Sequence, residues 1–492
     1  MPARASERPA VPGGRPVLAV MALLIAAVLA AYHNSFDGPF VFDDLPAIQE
    51  NPTIRSLWPP ATVLSPPAAS GVGGRPLANL SFALNRAIGG EGVASFHTGN
   101  LLLHAGSTLL LFGVLRRTLR AASPWLAAAI ALLWSVHPLT TAAVTWLSQR
   151  TELLMAFCYL LTLYAFIRGT AARCLGWMSL SAGACLLGMM SKEVMVTAPV
   201  VVLLYDRTFV AGGFRAAWAQ RRGYYLALAS TWLVLGYLLT TGLNLRSVGF
   251  GLGVSPLRYA LTEGEAIVRY LQLSLWPAPL VFDYGAVYAA APMATAACAL
   301  GVLVLLGATV WALRHRPAAG FLAGGVFLLL APTSSFVPVA EQPIAENRMY
   351  LPLAAIVAGA VLSFHGVARH RARTLLPTAA AALCILTLSR NVDYRSALSL
   401  WTDTTEKRPQ NPRAHFNRGL ALLMASQAAE AIPVFERALA LKPADPKAHH
   451  SLGHALLEVG RVDEALARFA EAVRLEPGYA GAWHSSGTAL LR

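Results

Sequence analysis

The feature that most constrains this chain is a series of apolar runs, each about long enough to cross a hydrocarbon core of about 30 Å once tilt and short broken helices are allowed. They lie near residues 17–32, 98–115, 124–140, 152–167, 175–190, 194–205, 223–241, 293–313, 318–339, 351–367 and 375–390. The chain therefore reads as an all-α polytopic membrane protein of about eleven transmembrane helices. Composition agrees, since 13% of residues are charged and 56% hydrophobic, against roughly 25% charged in soluble domains.

A net charge of +14 would fit a nucleic-acid partner only if the basic residues were gathered for one. They instead fall in alternate loops. With a cytoplasmic N-terminus, that side carries Arg4, Arg8 and Arg15, then Arg116, Arg117 and Arg120, then Arg168 and Arg173, then Arg207, Arg215, Arg221 and Arg222, then Arg314 and Arg316, and last Arg369, Arg371 and Arg373. This single register is the positive-inside pattern, and it excludes nucleic acid as the reason for the charge. It places the loops at 33–97 and 243–291 and the tail after Asn391 on the extracytoplasmic face, periplasmic for a bacterial inner-membrane protein. The first run has the basic flank and small residues (Ala30, Ala31) of a signal peptide, and it reads as a retained span because Asp43 then stays close to the membrane. The stretch 262–275, interrupted by Glu263, Glu265 and Arg269, reads as an interfacial or re-entrant helix. Five cysteines sit in or beside apolar runs and read as packing residues.

From about Asn411 a 34-residue period sets in. Gly419, Gly453 and Gly487 repeat at that spacing, as do Ala431 and Ala465, Phe435 and Phe469, Ala438 and Ala472, and Pro443 and Pro477. Small residues where two helices cross, Phe in the second helix and a closing Pro make a tetratricopeptide α-solenoid. The expected division is a membrane domain over 1–395 and a repeat domain over 396–492, with repeats at 412–445, 446–479 and a partial one at 480–492. Such arrays present a concave peptide-binding groove.

Within the membrane domain lies a set of polar motifs at span ends. Asp43 and Asp44 sit among Phe40, Val41, Phe42 and Leu45, where a carboxylate near hydrocarbon is costly; they are either a site or the cap of a short helix beginning near Leu45. His97, Asn100 and His104 form one helical stripe. The two histidines are about 10 Å apart by the helical rise, too far to share a metal, so they serve either interhelical hydrogen bonding or substrate contact. Arg150 with Glu152, Lys192 with Glu193, and Arg348 with Glu346 put a base and a carboxylate at span ends on the face where bases are few. Each is either an ion pair that ends a span or, with the others, a phosphate-binding set at the membrane surface.

Taken in order, Phe-Val-Phe-Asp43-Asp44 with Ala-Ile-Gln-Glu-Asn51, Arg75-Pro-Leu, Phe96-His-Thr-Gly-Asn-Leu-Leu-Leu-His104, His137-Pro to Arg150-Thr-Glu152, Ser-Lys192-Glu193, Glu346-Asn-Arg348-Met-Tyr-Leu-Pro352 and the repeat tail resemble the transmembrane and tetratricopeptide-repeat-containing protein O-mannosyltransferases and their bacterial relatives. These are multispanning glycosyltransferases of the C superfamily. The resemblance implies a sugar donor carried on a polyprenyl phosphate, an acceptor protein on the extracytoplasmic side, and catalytic carboxylates in the first loop, carried over to Asp43 and Asp44. In this reading one aspartate takes the proton from an acceptor Ser or Thr hydroxyl as that oxygen attacks the anomeric carbon with inversion. Arg150, Lys192 and Arg348 would offset the charge on the departing phosphate, supported by Glu152, Glu193, Glu346, Arg75, His97 and His104. No metal is expected from protein ligands alone; a divalent cation bridging the aspartates to the phosphate would need more oxygen ligands than the motif supplies. Thr140 and Thr141 stand where relatives often place a carboxylate, which leaves the sugar and acceptor open. The competing readings are a non-enzymatic membrane-anchored scaffold that uses the repeat groove and, behind it, a lipid-linked sugar transporter.

Overall fold

The computed structural model describes residues 14–119, 124–241, 249, 253–289, 292–335, 337–339 and 341–491. Arg4, Arg8 and Arg120 lie outside the described residues. Among the described residues the protein is helical and forms no β-strand. The helices of eight residues or more are numbered here in chain order.

The membrane part comprises α1 (Gly14–Tyr32), α2 (Pro76–Gly89), α3 (Val93–Thr118), α4 (Pro124–Ser135), α5 (Arg150–Ala172), α6 (Leu175–Met189), α7 (Ala198–Tyr205), α8 (Phe214–Thr241), α9 (Pro256–Leu275), α10 (Pro292–His315), α11 (Pro317–Leu330), α12 (Pro352–Val367) and α13 (Arg369–Asp393). Helix α1 shows why such segments suit a bilayer. Leu24, Val28, Ala31 and Tyr32, at helical spacing, are buried against the bundle, while Leu18, Leu23 and Leu29 on its other faces are exposed and still apolar. A helix of that kind has no face for water.

Among the described residues six helices are long and apolar enough to cross a membrane, seven if a bent pair is one span, so the expected eleven spans are not all realised as full-length helices. The polar motifs explain the difference. Pro138 keeps His137 extended (φ −76°, ψ 131°), and the chain bends by 54° between α4 and the helical turn that follows. Helix α11 stops just ahead of Pro332, α7 has only 8 residues, and α6, α11 and α12 have 15, 14 and 16. The interfacial reading of 262–275 corresponds to part of α9, whose buried face carries Glu263.

One core runs through α1, α3, α4, α5 and α12. Two smaller clusters cover one end of it. Ala47, Ile48, Ile54, Val72, Phe82 and Phe96 hold the first loop together, and Val41, Trp146, Phe282, Tyr394, Leu400 and Trp401 join that loop to the second loop and to the start of the tail.

The tail consists of α14 (Ala397–Lys407), α15 (Pro412–Met424), α16 (Ala428–Leu441), α17 (Pro446–Glu458), α18 (Val462–Leu475) and α19 (Ala480–Leu490). The 34-residue period is visible in hydrogen bonds as well as in packing. His415, His449 and Trp483 each reach the carbonyl of a proline six residues earlier, Pro409, Pro443 and Pro477, at 3.0, 2.9 and 3.0 Å. Asn411 and Asp445 cap the first helix of successive units. A Cβ on Gly453 would lie 2.5 Å from the Phe469 ring, whereas one on Gly487 would meet nothing within 4 Å. Gly453→Ala should therefore lower stability by about 1–3 kcal/mol through overpacking, and Gly487→Ala should not. Thermal melts of the detergent-solubilised protein followed by circular dichroism check both.

Candidate functional site

The first-loop motif makes a turn at Phe42, which adopts φ +50°. A bulky residue holds that conformation only when its surroundings fix it. Here its ring is packed among Trp146, Phe282 and Trp401, with centroids 6.1, 6.3 and 5.6 Å away.

The two aspartates that follow have different environments. Asp44 is 1% exposed, and its oxygens accept from the backbone N–H of Val41 (3.0 Å) and of Ser148 (2.6 Å). It gives no side-chain cap to the helical turn Leu45–Gln49 that follows it, so the cap reading does not hold. Burial pushes its pKa up to about 7 against the pull of those two N–H groups. Asp43 is half-buried, and its carboxylate makes no hydrogen bond among the described residues. Its side chain packs on Gly71, where a Cβ would come within 3.3 Å of it. Burial pushes its pKa up to about 6, while Arg413 and Arg75 pull it down and Glu341 and Asp283 push it up.

Asn51 and Asn79 fix the loop behind the aspartates. Asn51 donates to Asn79 Oδ1 (2.8 Å) and to the Ala47 carbonyl (2.9 Å), and Asn79 donates to the Val63 carbonyl (2.7 Å).

The basic residues pair differently from their order in sequence. Lys192 donates to Glu152 (2.5 Å), both buried, and Asn347 donates to the same carboxylate (3.3 Å) and to Gln149 (2.8 Å). Glu193 pairs with Arg75 (3.4 Å) and not with its neighbour Lys192. Burial acts to raise Glu193, but the Arg75 and Lys192 cations outweigh it and hold the carboxyl below its usual range. Arg348 lies 3.5 Å from Glu263 of α9 and donates to the carbonyls of Pro343 and Gln342. Glu346, expected beside Arg348, instead accepts from Val281 N–H (2.6 Å) and the Tyr284 hydroxyl (2.9 Å). Arg150 does not pair with Glu152. Its guanidinium is buried over Phe82 and donates to Asn100 Oδ1 (2.7 Å) and to the carbonyls of Phe96 (2.7 Å) and Ser81 (3.3 Å).

His97 meets the Gly38 carbonyl at 3.1 Å, and His104 lies between the Tyr350 hydroxyl (2.7 Å) and the Ser135 carbonyl (2.9 Å). Both histidines tie α3 to neighbouring segments. Arg75, Lys192 and Glu193 line a pocket with Gly74, Met189 and three leucines of α8, Leu235, Leu238 and Leu239. One wall is charged and the other apolar; both cations are paired with carboxylates, and the cleft has room for about one water molecule.

Several residues of this arrangement carried no sequence signal. Ser148 contributes only a backbone N–H, while Glu263 and Asp283 lie in the second long loop and meet partners 85 and 130 residues away. Asn347 lies between Glu346 and Arg348, and nothing in its type or spacing announces its bonds to Gln149 and Glu152. Arg246, in the same loop, is outside the described residues. Among the described residues no cluster of three or more His, Cys, Asp or Glu is arranged to hold a metal ion.

Tetratricopeptide repeat family models match residues 386–446 and 422–486. The chain is also homologous to proteins named protein O-mannosyl-transferases. It is 30% identical over 303 residues to Tmtc1 of Drosophila melanogaster, covering 54% of this chain and 34% of the relative. It is 34% identical over 195 residues to human TMTC2, covering 36% and 23%, and 25% identical over 509 residues to Drosophila Tmtc3, covering 85% and 54%. The chain thus spans between about a quarter and a half of these relatives' lengths. Among solved structures, ArnT from Cupriavidus metallidurans bound to undecaprenyl phosphate covers 93% of this chain and 80% of its own, at 14% identity and a TM-score of 0.45, too loose a likeness to fix a shared fold.

Removing one partner of the buried Lys192–Glu152 pair leaves a charge without compensation. Glu152→Gln should cost about 3–5 kcal/mol, and Glu193→Gln, whose partner Arg75 is part-exposed, about 1 kcal/mol or less. Thermal denaturation of the two variants side by side measures the difference.

Proposed function

We propose that the chain is a membrane glycosyltransferase that moves a hexose, mannose by the names of its homologues, from a polyprenyl-phosphate donor to a Ser or Thr hydroxyl of a protein. The observation that carries this reading is Asp43, a half-buried carboxylate without a hydrogen-bond donor among the described residues, beside a partner whose oxygens are both occupied. Asp43 is then the base and Asp44 its support. The acceptor oxygen forms a bond to the anomeric carbon as the bond from that carbon to the phosphate oxygen breaks, with inversion. The hydroxyl proton passes to Asp43 and the lipid phosphate leaves with the electron pair.

A lipid-phosphate donor would take its head to Arg75 and Lys192 and its tail along the α8 leucines, displacing Glu193 and Glu152 from the two cations and widening a cleft that has room for about one water molecule. Of the other basic residues, Arg348 contributes by holding α9 through Glu263, and Arg150 by locking α2, α3 and α5 together. Glu346 fixes the second loop over the site. The register of basic loops supports placing the site and the repeat tail on the extracytoplasmic face, where nucleotide-sugars are scarce and a membrane-carried donor is the available kind. The repeat groove supplies a surface for the acceptor.

The test is to incubate membranes holding the protein with several polyprenyl-phosphate hexoses and candidate acceptors and to map added hexose by mass spectrometry. Wild type should transfer. The rate should be level above pH about 6 and fall about tenfold per unit below it, because the base works ionised and Asp43 is protonated there. Asp43→Asn should lose about a hundredfold or more. Absence of transfer with every donor would favour the scaffold, whose role would fail instead when Gly453 is replaced, and transfer undiminished in Asp43→Asn would remove Asp43 as the base.

A further inference from the structure

Three rings hold the left-handed Phe42, and they come from three parts of the chain: Trp146 from the turn before α5, Phe282 from the second loop, and Trp401 from α14, the first helix of the tail. Trp401 is the nearest of the three, with centroids 5.6 Å apart and planes at 76°, the edge-to-face arrangement that aromatic pairs favour. It is 3% exposed and also meets Phe282 edge-on at 5.2 Å, so it supports one of the other two rings as well.

Helix α14 is itself anchored around this contact. Asp403, two residues beyond Trp401, accepts from Arg390 of α13 (2.9 Å), and Lys407 at the helix end donates to the Leu280 carbonyl of the second loop (2.9 Å). Just beyond it, Arg413 of α15 grips the buried Asp283 at both oxygens, at 2.7 and 2.6 Å. The indole therefore stands in a fixed place relative to both loops, whereas Trp146 and Phe282 belong to the turns that meet there.

We propose, resting on the function above, that Trp401 is a positioning residue of the transferase site: from the repeat tail it holds Phe42 left-handed, and that turn keeps Asp44 clamped and Asp43 outside the clamp. The path from ring to carboxylate is short. Asp44 N–H donates to the Val41 carbonyl (3.0 Å) and Leu45 N–H to the Phe42 carbonyl (3.2 Å), so the backbone on either side of Phe42 is the backbone that places both aspartates. Val41 N–H is also one of the two donors to the Asp44 carboxylate. Once Phe42 relaxes to the negative φ that a bulky residue prefers, Val41 and Asp44 part and the clamp loses a donor. The tail is then a wall of the site and not a tethered recognition module.

The experiment reads the clamp directly. Full-length protein in detergent is treated at pH 6 with a water-soluble carbodiimide and glycine ethyl ester, and label on Asp43 and on Asp44 is resolved by fragmentation mass spectrometry. Burial pushes the two pKa values up to about 6 and about 7, so both carboxyls carry enough proton to react and access decides between them. Wild type should label Asp43 and spare Asp44. Trp401→Leu should raise Asp44 labelling about tenfold, driven by the strain that Phe42 then releases, and Trp401→Phe, which keeps a ring there, should leave Asp44 spared. Phe42→Leu removes the same contact from the other side. It should expose Asp44 too, and the double variant Phe42→Leu/Trp401→Leu should expose it no further than Phe42→Leu alone. Gly453→Ala, which loosens the tail elsewhere, should leave Asp44 spared. Asp44 protected in Trp401→Leu, exposed equally by Trp401→Phe or Gly453→Ala, or exposed additively in the double variant overturns the proposal; if Trp401→Leu does not fold, Phe42→Leu against Trp401→Phe decides it. In the transfer assay Trp401→Leu should lower kcat about tenfold or more with the donor KM unchanged, and a raised donor KM with kcat intact overturns the proposal as well. Labelling needs no turnover, so a protein that transfers no sugar but shows the labelling pattern would refute the function and keep the positioning of the turn.

Discussion

Asp44 commits one carboxylate oxygen to the N–H of Val41 and the other to the N–H of Ser148, and that clamp determines what the rest of the site can be. It ties the first loop to the turn that starts α5, 104 residues away. Hydrogen bonds to a charged acceptor contribute about 1.5–3 kcal/mol each, enough to offset a left-handed Phe42 at about 1–3 kcal/mol. With the turn held there, the adjacent carboxyl lies on Gly71 and accepts no hydrogen bond among the described residues. Two identical residues in sequence acquire separate environments from backbone geometry alone.

The same economy of fixed contacts runs through the surrounding motifs. Glu152, Lys192 and Asn347 bring three distant span ends to one point, and Glu346 reaches from the turn before α12 to the second loop. Buried pairs of this kind add little net stability over an apolar core, but breaking one is costly. Their effect is to fix the span ends in one arrangement. Short helices such as α6, α11 and α12 are compatible with it, since their ends are held by polar contacts and their apolar faces by neighbouring helices.

Much of this was legible in the sequence. Apolar runs place the helices, the 34-residue period places the repeats, and the acidic pair and the span-end charges mark the end where the buried polar contacts gather. What could not be read was pairing. Local order suggested Arg150 with Glu152 and Arg348 with Glu346, yet Glu152 meets Lys192 and Arg348 meets Glu263, because charge partners at span ends are chosen by the packing of the bundle. Where prolines and polar turns interrupt the apolar runs, as at Pro138 and Pro332, the helices are shorter than a full span. The connection of the tail to Asp283 left no trace, since an aspartate in a loop has no periodicity to betray it.

The central claim is that the free carboxylate acts on the acceptor proton and the clamped one does not, and chemical rescue tests it most directly. Asp43→Ala and Asp44→Ala proteins are assayed for sugar transfer with and without added formate, a small carboxylate able to occupy the space left by a truncated base. Formate should restore a measurable part of the transfer in Asp43→Ala and none in Asp44→Ala, whose defect lies in the turn. Rescue confined to Asp44→Ala, or Asp43→Ala as active as wild type without formate, would contradict the account.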